Sequence, residues 1–81
     1  MGFSMKVRTE TDAELCRKNG WVVGTRIQGT ETGLNWTKTD TIEITAIGVE
    51  MVLARTVLPD GKFGNEQAWS LQWRNWEAVP R

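Results

Sequence analysis

Apolar and β-branched residues recur at every second position over much of this chain, and this alternation is the feature that most restricts its fold. In residues 21–29, WVVGTRIQG, a β-branched residue alternates with a small or polar one from position 23 onward. Residues 41–58, TIEITAIGVEMVLARTVL, repeat the alternation and continue, after a predicted turn around 48–50, with a β-branched, apolar run. A period of two is typical of a strand that buries one face. We therefore predict a strand in the first stretch and a β-hairpin in the second.

The residues before the strands carry signals for the start and the end of a helix. Thr11 and Glu14 match a capping box, in which the hydroxyl and the carboxylate each accept a hydrogen bond from a backbone amide. Gly20 can adopt the left-handed conformation that ends a helix. We therefore predict a two-turn helix over residues 12–19. Its inner side would be formed by Ala13, Leu15 and Cys16. We expect Cys16 to be a small core residue rather than a reactive thiol.

Three further stretches complete the expected architecture. Residues 29–40, GTETGLNWTKTD, are rich in glycine and threonine and are predicted to form a loop with Trp36 in its middle. A proline followed by Asp-Gly in LPDGKFG, residues 58–64, predicts a turn. Residues 68–76, AWSLQWRNW, predict a last strand that continues towards position 79. The face of this strand that we expect in the core is formed by Trp69, Leu71 and Trp73.

Together these elements predict a mainly β chain, a small antiparallel SH3-like barrel of four or five strands with one short N-terminal helix. A two-layer α+β sheet is the alternative. Residues 1–10 are polar and unpatterned, so we expect a flexible N-terminus there and a single barrel domain over residues 11–81. A chain of 81 residues buries only about 60–65% of the surface that it exposes when unfolded. Its five tryptophans supply large apolar side chains that compensate for the short length.

The composition argues against several classes of function. Ten basic and ten acidic side chains cancel, so no net field attracts the chain to nucleic acid or to an anionic membrane. No apolar run reaches the roughly 18 residues of a membrane span, and the N-terminus lacks the hydrophobic stretch of a signal peptide. We therefore expect a cytoplasmic protein with no membrane partner and no nucleic-acid partner.

Catalytic and metal-binding chemistry also lacks its usual residues. The chain has no histidine and a single cysteine, which excludes an internal disulfide, a Cys/His zinc site and a Ser-His or Cys-His catalytic pair. No glycine-rich phosphate-loop motif occurs. The available carboxylates are predicted to lie at turns or on outward strand positions: Asp40, Glu43, Glu50 and Asp60. Without a carboxylate cluster, acid–base catalysis would need a strongly shifted glutamate or lysine. We expect a protein that is not an enzyme and that uses no cofactor and no metal.

The tryptophans and basic residues outside the predicted core are the candidates for binding. Indole rings stack on flat ligands for about 1–3 kcal/mol each, and arginine and lysine donate charge-assisted hydrogen bonds to phosphate. Trp36, in the middle of the predicted loop, is the ring that we least expect in the core. Each arginine alone would be a solvated charge, but together the arginines would line one side of a barrel mouth. The candidate ligand-binding residues are Arg26, Trp36, Lys38, Arg55, Arg74 and Trp76.

The order of several motifs resembles that of small tailed-bacteriophage proteins of unknown function. The resemblance covers roughly residues 9–79 and rests on TDAELCRKNGW, GTRIQG, IEITAIG, VLAR and the closing WSLQWRNW. The chain departs from that pattern in its longer first loop and in Trp73, which stands where a cysteine is usual. A ligand preference that depends on this loop in the phage proteins is therefore not expected in this chain. The resemblance implies a phage accessory protein in an infected bacterial cell, of the kind that binds and neutralises a host component.

Two functions remain open at this point. The first is a non-catalytic counter-defence protein that sequesters a small nucleotide-type immune signal of the host. A small barrel cannot enclose such a ligand alone, so we expect a homo-oligomer with the site at a subunit interface. The alternative is a protein-binding inhibitor of a host enzyme, such as a CRISPR effector or a restriction enzyme, because tryptophan and arginine are also favoured interface anchors.

Overall fold

The computed structural model describes residues 10–80, so the predicted flexible N-terminus lies outside the described residues except for Glu10. The described chain forms one helix and five strands. In chain order they are α1 (Asp12–Lys18), β1 (Arg26–Thr32), β2 (Thr37–Ile47), β3 (Val52–Val57), β4 (Phe63–Ala68) and β5 (Trp76–Val79). Within residues 10–80, no helix is long and apolar enough to cross a membrane.

The predicted helix and its caps are confirmed. The amide of Thr11 donates to Glu14 Oε1 at 2.8 Å, and the amide of Glu14 donates to Thr11 Oγ1 at 3.1 Å, which completes the capping box. Gly20 has a φ of +74°, a conformation that glycine adopts without strain, just after the helix. The predicted inner side is buried, and burial raises the pKa of the Cys16 thiol to about 11. Cys16 is therefore a core residue with little thiolate at neutral pH.

The mainly β prediction is confirmed, because the five strands form one antiparallel sheet in the order β4-β3-β2-β1-β5. No pairing joins β4 to β5 within residues 10–80, so the sheet is open there and its closure into a barrel stays a prediction. One face of the sheet packs against α1 and against the residues that precede β5. The largest fully buried side chains of this core are Ile27, Ile42, Ile44, Val52, Leu71 and Cys16.

The prediction of a loop over residues 29–40 is wrong. β1 continues to Thr32 and β2 begins at Thr37, so only residues 33–36 form the turn between them. Threonine occupies alternate positions of this stretch, and its β-branched side chain favours a strand. The hydroxyls of Thr30 and Thr39 lie 2.9 Å apart across the two strands. Residues 30–39 pair with each other and lie beyond the last registered partners in β5 and β3. We call this two-stranded extension the arm.

The end of the chain also differs from its prediction. The stretch expected as a strand, residues 69–75, is irregular, and the strands on either side of it are β4 and β5. The amide of Leu71 donates to Asp12 Oδ1 at 3.0 Å, so the backbone here bonds to the helix start instead of to a sheet neighbour. Leu71 is buried and Trp69 is partly buried, as expected. Trp73 is 81% exposed, so the prediction that it packs in the core is wrong.

Candidate functional site

The tip of the arm carries two exposed apolar side chains. Leu34 is 99% exposed and Trp36 is 52% exposed. The amide of Gly33 donates to the carbonyl of Trp36 at 2.8 Å and closes the turn between them. The indole of Trp36 lies so close to Gly33 that a Cβ atom at that position would collide with the ring. Trp36 is therefore held against the turn, with about half of its surface open to a partner. We call Leu34 and Trp36 the arm tip.

Charged residues along the arm are balanced. Glu31 lies directly opposite Lys38 in the register of β1 and β2. The ammonium of Lys38 is 3.9 Å from Asp40 Oδ2, and Glu31 Oε1 is 4.0 Å from Arg74 Nη2. These distances exceed those of charge-assisted hydrogen bonds, and one side chain of each pair, Lys38 or Glu31, is exposed, so the pairs are weak. The arm consequently offers no excess positive charge for a polyanion.

The base of the arm is joined to the end of the chain by Arg74, whose side chain is 11% exposed. Its Nη1 donates to Asp40 Oδ2 at 3.0 Å and to the carbonyl of Gly29 at 3.2 Å. The guanidinium carbon lies 5.0 Å from the ring centroid of Trp76 and 5.8 Å from that of Trp69, within the range of cation–π attraction. We call Arg74 and its contacts the arm clamp.

Trp76 is a core residue of this structure. Its exposed fraction is 8%, and its ring lies over Gly29, where an added Cβ would come within 2.7 Å of ring carbon Cδ2. It meets the ring of Trp69 edge to face, with centroids 6.0 Å apart and an interplanar angle of 88°. Because only 8% of its surface is exposed, Trp76 does not present an open platform on which a flat ligand could stack.

The opposite face of the sheet carries a row of paired charges. Glu43 is only 6% exposed and accepts from Arg55 Nη2 at 2.8 Å and from Arg26 Nε at 3.0 Å. The register places it directly between these two arginines. The Arg55 guanidinium holds the pKa of this carboxyl below its ordinary value, and Arg26 adds to the effect. Phe63 covers the row, with its ring centroid 3.5 Å from the guanidinium carbon of Arg55.

The structure thus divides the predicted binding residues into separate groups. Trp36 and Lys38 lie on the arm, and Arg74 and Trp76 lie at its base. Because side chains alternate along a strand, Arg26 and Arg55 project to the face opposite the buried Ile27 and Ala54 that adjoin them in sequence. The six residues therefore do not line one mouth.

Three features of the site were missed at the sequence level. Leu34 at the arm tip and the carboxylate partners Asp40 and Glu43 were not singled out as contact groups. The alternating threonines in TETGLNWTKT are the signal that predicts two strands around a four-residue turn, and that turn would have placed Leu34 at the tip. No comparable signal marks Asp40 or Glu43, because their partners are distant in sequence.

The described residues form no metal-binding cluster, and they border a cavity beside the helix. Residues 10–80 contain no group of three or more His, Cys, Asp or Glu that could hold a metal ion. A cavity of about 450 Å³ lies between α1 and the start of β5, where Trp21 and Trp76 form part of the wall. Its lining also includes Lys18 and Glu10, whose charged groups are 4.0 Å apart. A single cation beside a carboxylate gives this cavity little preference for a phosphate group.

No curated protein and no solved structure matches the chain. The model of one protein family matches residues 10–81, which is nearly the whole chain. The protein therefore belongs to the family described as Domain of unknown function (DUF7241).

Proposed function

We propose that this chain is a non-catalytic accessory module that acts by binding a protein partner through its arm tip. The observation that carries the proposal is the exposure of Leu34 and Trp36 at the end of a strand pair that projects beyond the sheet. Tryptophan is enriched among the residues that dominate binding energy at protein interfaces. An exposed indole that is already held against Gly33 loses little conformational freedom on binding, which favours affinity.

The charges of the same region support a protein partner over a nucleotide. The cations nearest the arm are Lys38 and Arg74, and each has a carboxylate within 4.0 Å. Arg26 and Arg55, the other predicted phosphate contacts, share the carboxylate of Glu43. A nucleotide phosphate would have to displace these carboxylates, whereas an interface with mixed charges and an aromatic anchor would not.

The phage resemblance gives this proposal its context. We place the protein in the cytoplasm of an infected bacterial cell, where its partner would be a host protein such as a defence enzyme. Sequestration of a nucleotide-type signal at a subunit interface is the competing proposal. It predicts a small bound molecule in place of a protein partner, so one experiment separates the two.

The experiment is affinity capture from bacterial lysate with the full chain and two matched double variants. The test variant combines Leu34→Ser with Trp36→Ser. The control combines Val49→Ser with Met51→Ser, which removes two exposed apolar side chains from the turn between β2 and β3. We expect a stoichiometric protein partner with the wild type and the control, and its loss with the tip variant. Equal capture by both variants would contradict the proposal.

Mass spectrometry and calorimetry of the purified protein complete this test. A nucleotide that copurifies with the wild type in the absence of a protein partner would favour sequestration instead. Thermal unfolding of all three proteins shows whether a lost partner reflects the surface change, because substitutions at exposed positions usually change stability by less than about 0.5 kcal/mol.

A further inference from the structure

The arm has an edge that no strand of the described chain covers. β2 begins at Thr37, whereas its first registered partner in β3 is Thr56, opposite Ile42. The β3 edge of β2 is therefore without a strand partner over residues 37–39 within the described range 10–80. An uncovered edge presents backbone N–H and C=O groups that can template a further strand.

The register shows which backbone groups point to this edge. The amide of Gly33 donates to the carbonyl of Trp36, so Gly33 and Trp36 form a hydrogen-bonded pair of the antiparallel ladder. Bonded and non-bonded pairs alternate, and the next pair is Thr32 with Thr37. Thr37 and Thr39 consequently direct their amides and carbonyls away from β1 and towards the uncovered edge.

The sequence explains why β3 stops short of this edge. Pro59 has no amide hydrogen and cannot extend the ladder beside Thr39. The chain turns away in Leu58–Lys62, where the amide of Leu58 donates to the carbonyl of Lys62 at 2.8 Å and Gly61 has a φ of +87°. The departure leaves a notch of about 330 Å³ beside the edge. The notch is lined by Val57, Leu58 and Pro59, which are apolar, and by the polar strand residues Thr39, Asp40, Thr41 and Thr56.

We propose that the β2 edge at Thr37 and Thr39 binds an extended peptide segment of the partner protein as an added strand, with one apolar side chain of that peptide in the notch. Unpaired strand amides and carbonyls at regular spacing are recognised by another extended backbone, and an adjacent pocket selects one of its side chains. The inference rests on the proposed function, because it specifies how the protein partner is bound.

The opposite edge of the arm provides a matched control. Thr32 lies directly opposite Thr37 and also directs its amide away from the ladder between β1 and β2. Proline is tolerated on an edge strand where the missing amide would face outward. Thr39→Pro removes a donor from the proposed edge, together with the hydroxyl that contacts Thr30. Thr32→Pro removes a donor from the other edge of the same strand pair.

The test uses a displayed library of random peptides of about twelve residues, roughly twice the length of a strand, selected on the full wild-type chain. The strongest binders are synthesised, and their affinities are measured by fluorescence anisotropy. We expect Thr39→Pro to weaken binding about tenfold and Thr32→Pro to change it less than about twofold, because the lost hydrogen bonds lie only on the first edge. In the wild type, we expect amide exchange of Thr37 and Thr39 to slow when the peptide is bound.

Each contrary outcome overturns the inference. Absence of any enriched peptide, or equal binding by the two proline variants, would rule out strand addition at this edge. The exchange measurement decides the same question in the wild type if Thr39→Pro does not fold. Self-association that Thr39→Pro abolishes would assign the edge to a second copy of this chain instead. If the arm-tip variant loses a captured protein while Thr39→Pro keeps it, the proposed function stands and this inference fails.

Discussion

The guanidinium of Arg74 donates to the carboxylate of Asp40 at 3.0 Å, and this bond ties the irregular segment before β5 to the strand pair that forms the arm. The same nitrogen also donates to the carbonyl of Gly29, in the partner strand. One side chain thus contacts both strands at the point where the arm leaves the sheet. We expect the orientation of the arm relative to the core to depend on this clamp.

Replacement of Arg74 by lysine tests the clamp. Lysine keeps the charge but lacks the planar guanidinium, whose carbon lies 5.0 Å from the Trp76 ring centroid while its Nη1 donates to both acceptors. We expect Arg74→Lys to lower the free energy of unfolding by about 1–2 kcal/mol and to speed amide exchange in the arm. Urea unfolding and hydrogen exchange measure these effects. Lys38→Gln removes only the exposed 3.9 Å pair with Asp40 and should cost less than about 0.5 kcal/mol. Equal losses in the two variants would contradict this role of Arg74.

The contact between Gly29 and Trp76 predicts a second sensitive position. A Cβ atom on Gly29 would lie 2.7–3.0 Å from three ring atoms of a buried indole, closer than carbon atoms in van der Waals contact. We expect Gly29→Ala to destabilise the protein by about 1–3 kcal/mol, the usual cost of overpacking a core. Gly48→Ala is the control, since its nearest new contact would be 3.4 Å. The measurement is the urea midpoint of unfolding, compared between variants whose unfolding free energy has the same dependence on urea concentration. A Gly29→Ala variant as stable as the wild type would contradict this prediction.

The lowered pKa of Glu43 predicts a pH-dependent contribution to stability. A carboxyl with a folded pKa below its unfolded pKa stabilises the fold above the unfolded value, and this contribution is lost as the pH falls through the folded value. We expect Glu43→Gln to cost about 1–3 kcal/mol at neutral pH, because two arginines lose a charged acceptor. Between about pH 7 and pH 3 the wild type should lose more stability than the variant.

Glu66→Gln is the control for that comparison. Glu66 lies opposite Arg55 in β4 but is exposed. Its replacement should leave the urea midpoint nearly unchanged at neutral pH. Parallel pH profiles of the wild type and Glu43→Gln would exclude the predicted contribution of Glu43.

The two tryptophans on either side of Arg74 should respond differently to substitution. Trp73 is exposed, so Trp73→Ser should change the free energy of unfolding by less than about 0.5 kcal/mol. Trp76→Ala removes a buried ring and should cost about 3–5 kcal/mol. Thermal and urea unfolding provide the measurement. Comparable losses at the two positions would mean that Trp73 is covered in solution.

The sequence by itself determined the local elements of this protein. The capping box of Thr11 and Glu14, the helix end at Gly20 and the turn at Pro59 and Gly61 all depend on residues within a few positions of one another. Alternation of apolar residues determined that the chain is mainly β, because a strand that buries one face imposes that period. The missing histidine and the single cysteine exclude an internal disulfide and a histidine-based catalytic pair, whereas a role in binding stays a prediction.

Only the tertiary structure decided which side chains are buried and which are exposed. Trp73 and Trp76 belong to the same tryptophan-rich stretch, yet Trp73 is exposed and Trp76 is buried. The chain before Trp73 leaves the strand path, where the Leu71 amide bonds to the helix start, and a regular strand begins only at Trp76. The partners concerned are far apart in sequence: Asp12 and Leu71 by 59 positions, and Asp40 and Arg74 by 34. A local pattern specifies the face on which a residue lies but not the distant segment that packs on it. The uncovered arm exists for the same reason, since it depends on where β3 and β5 end relative to β1 and β2.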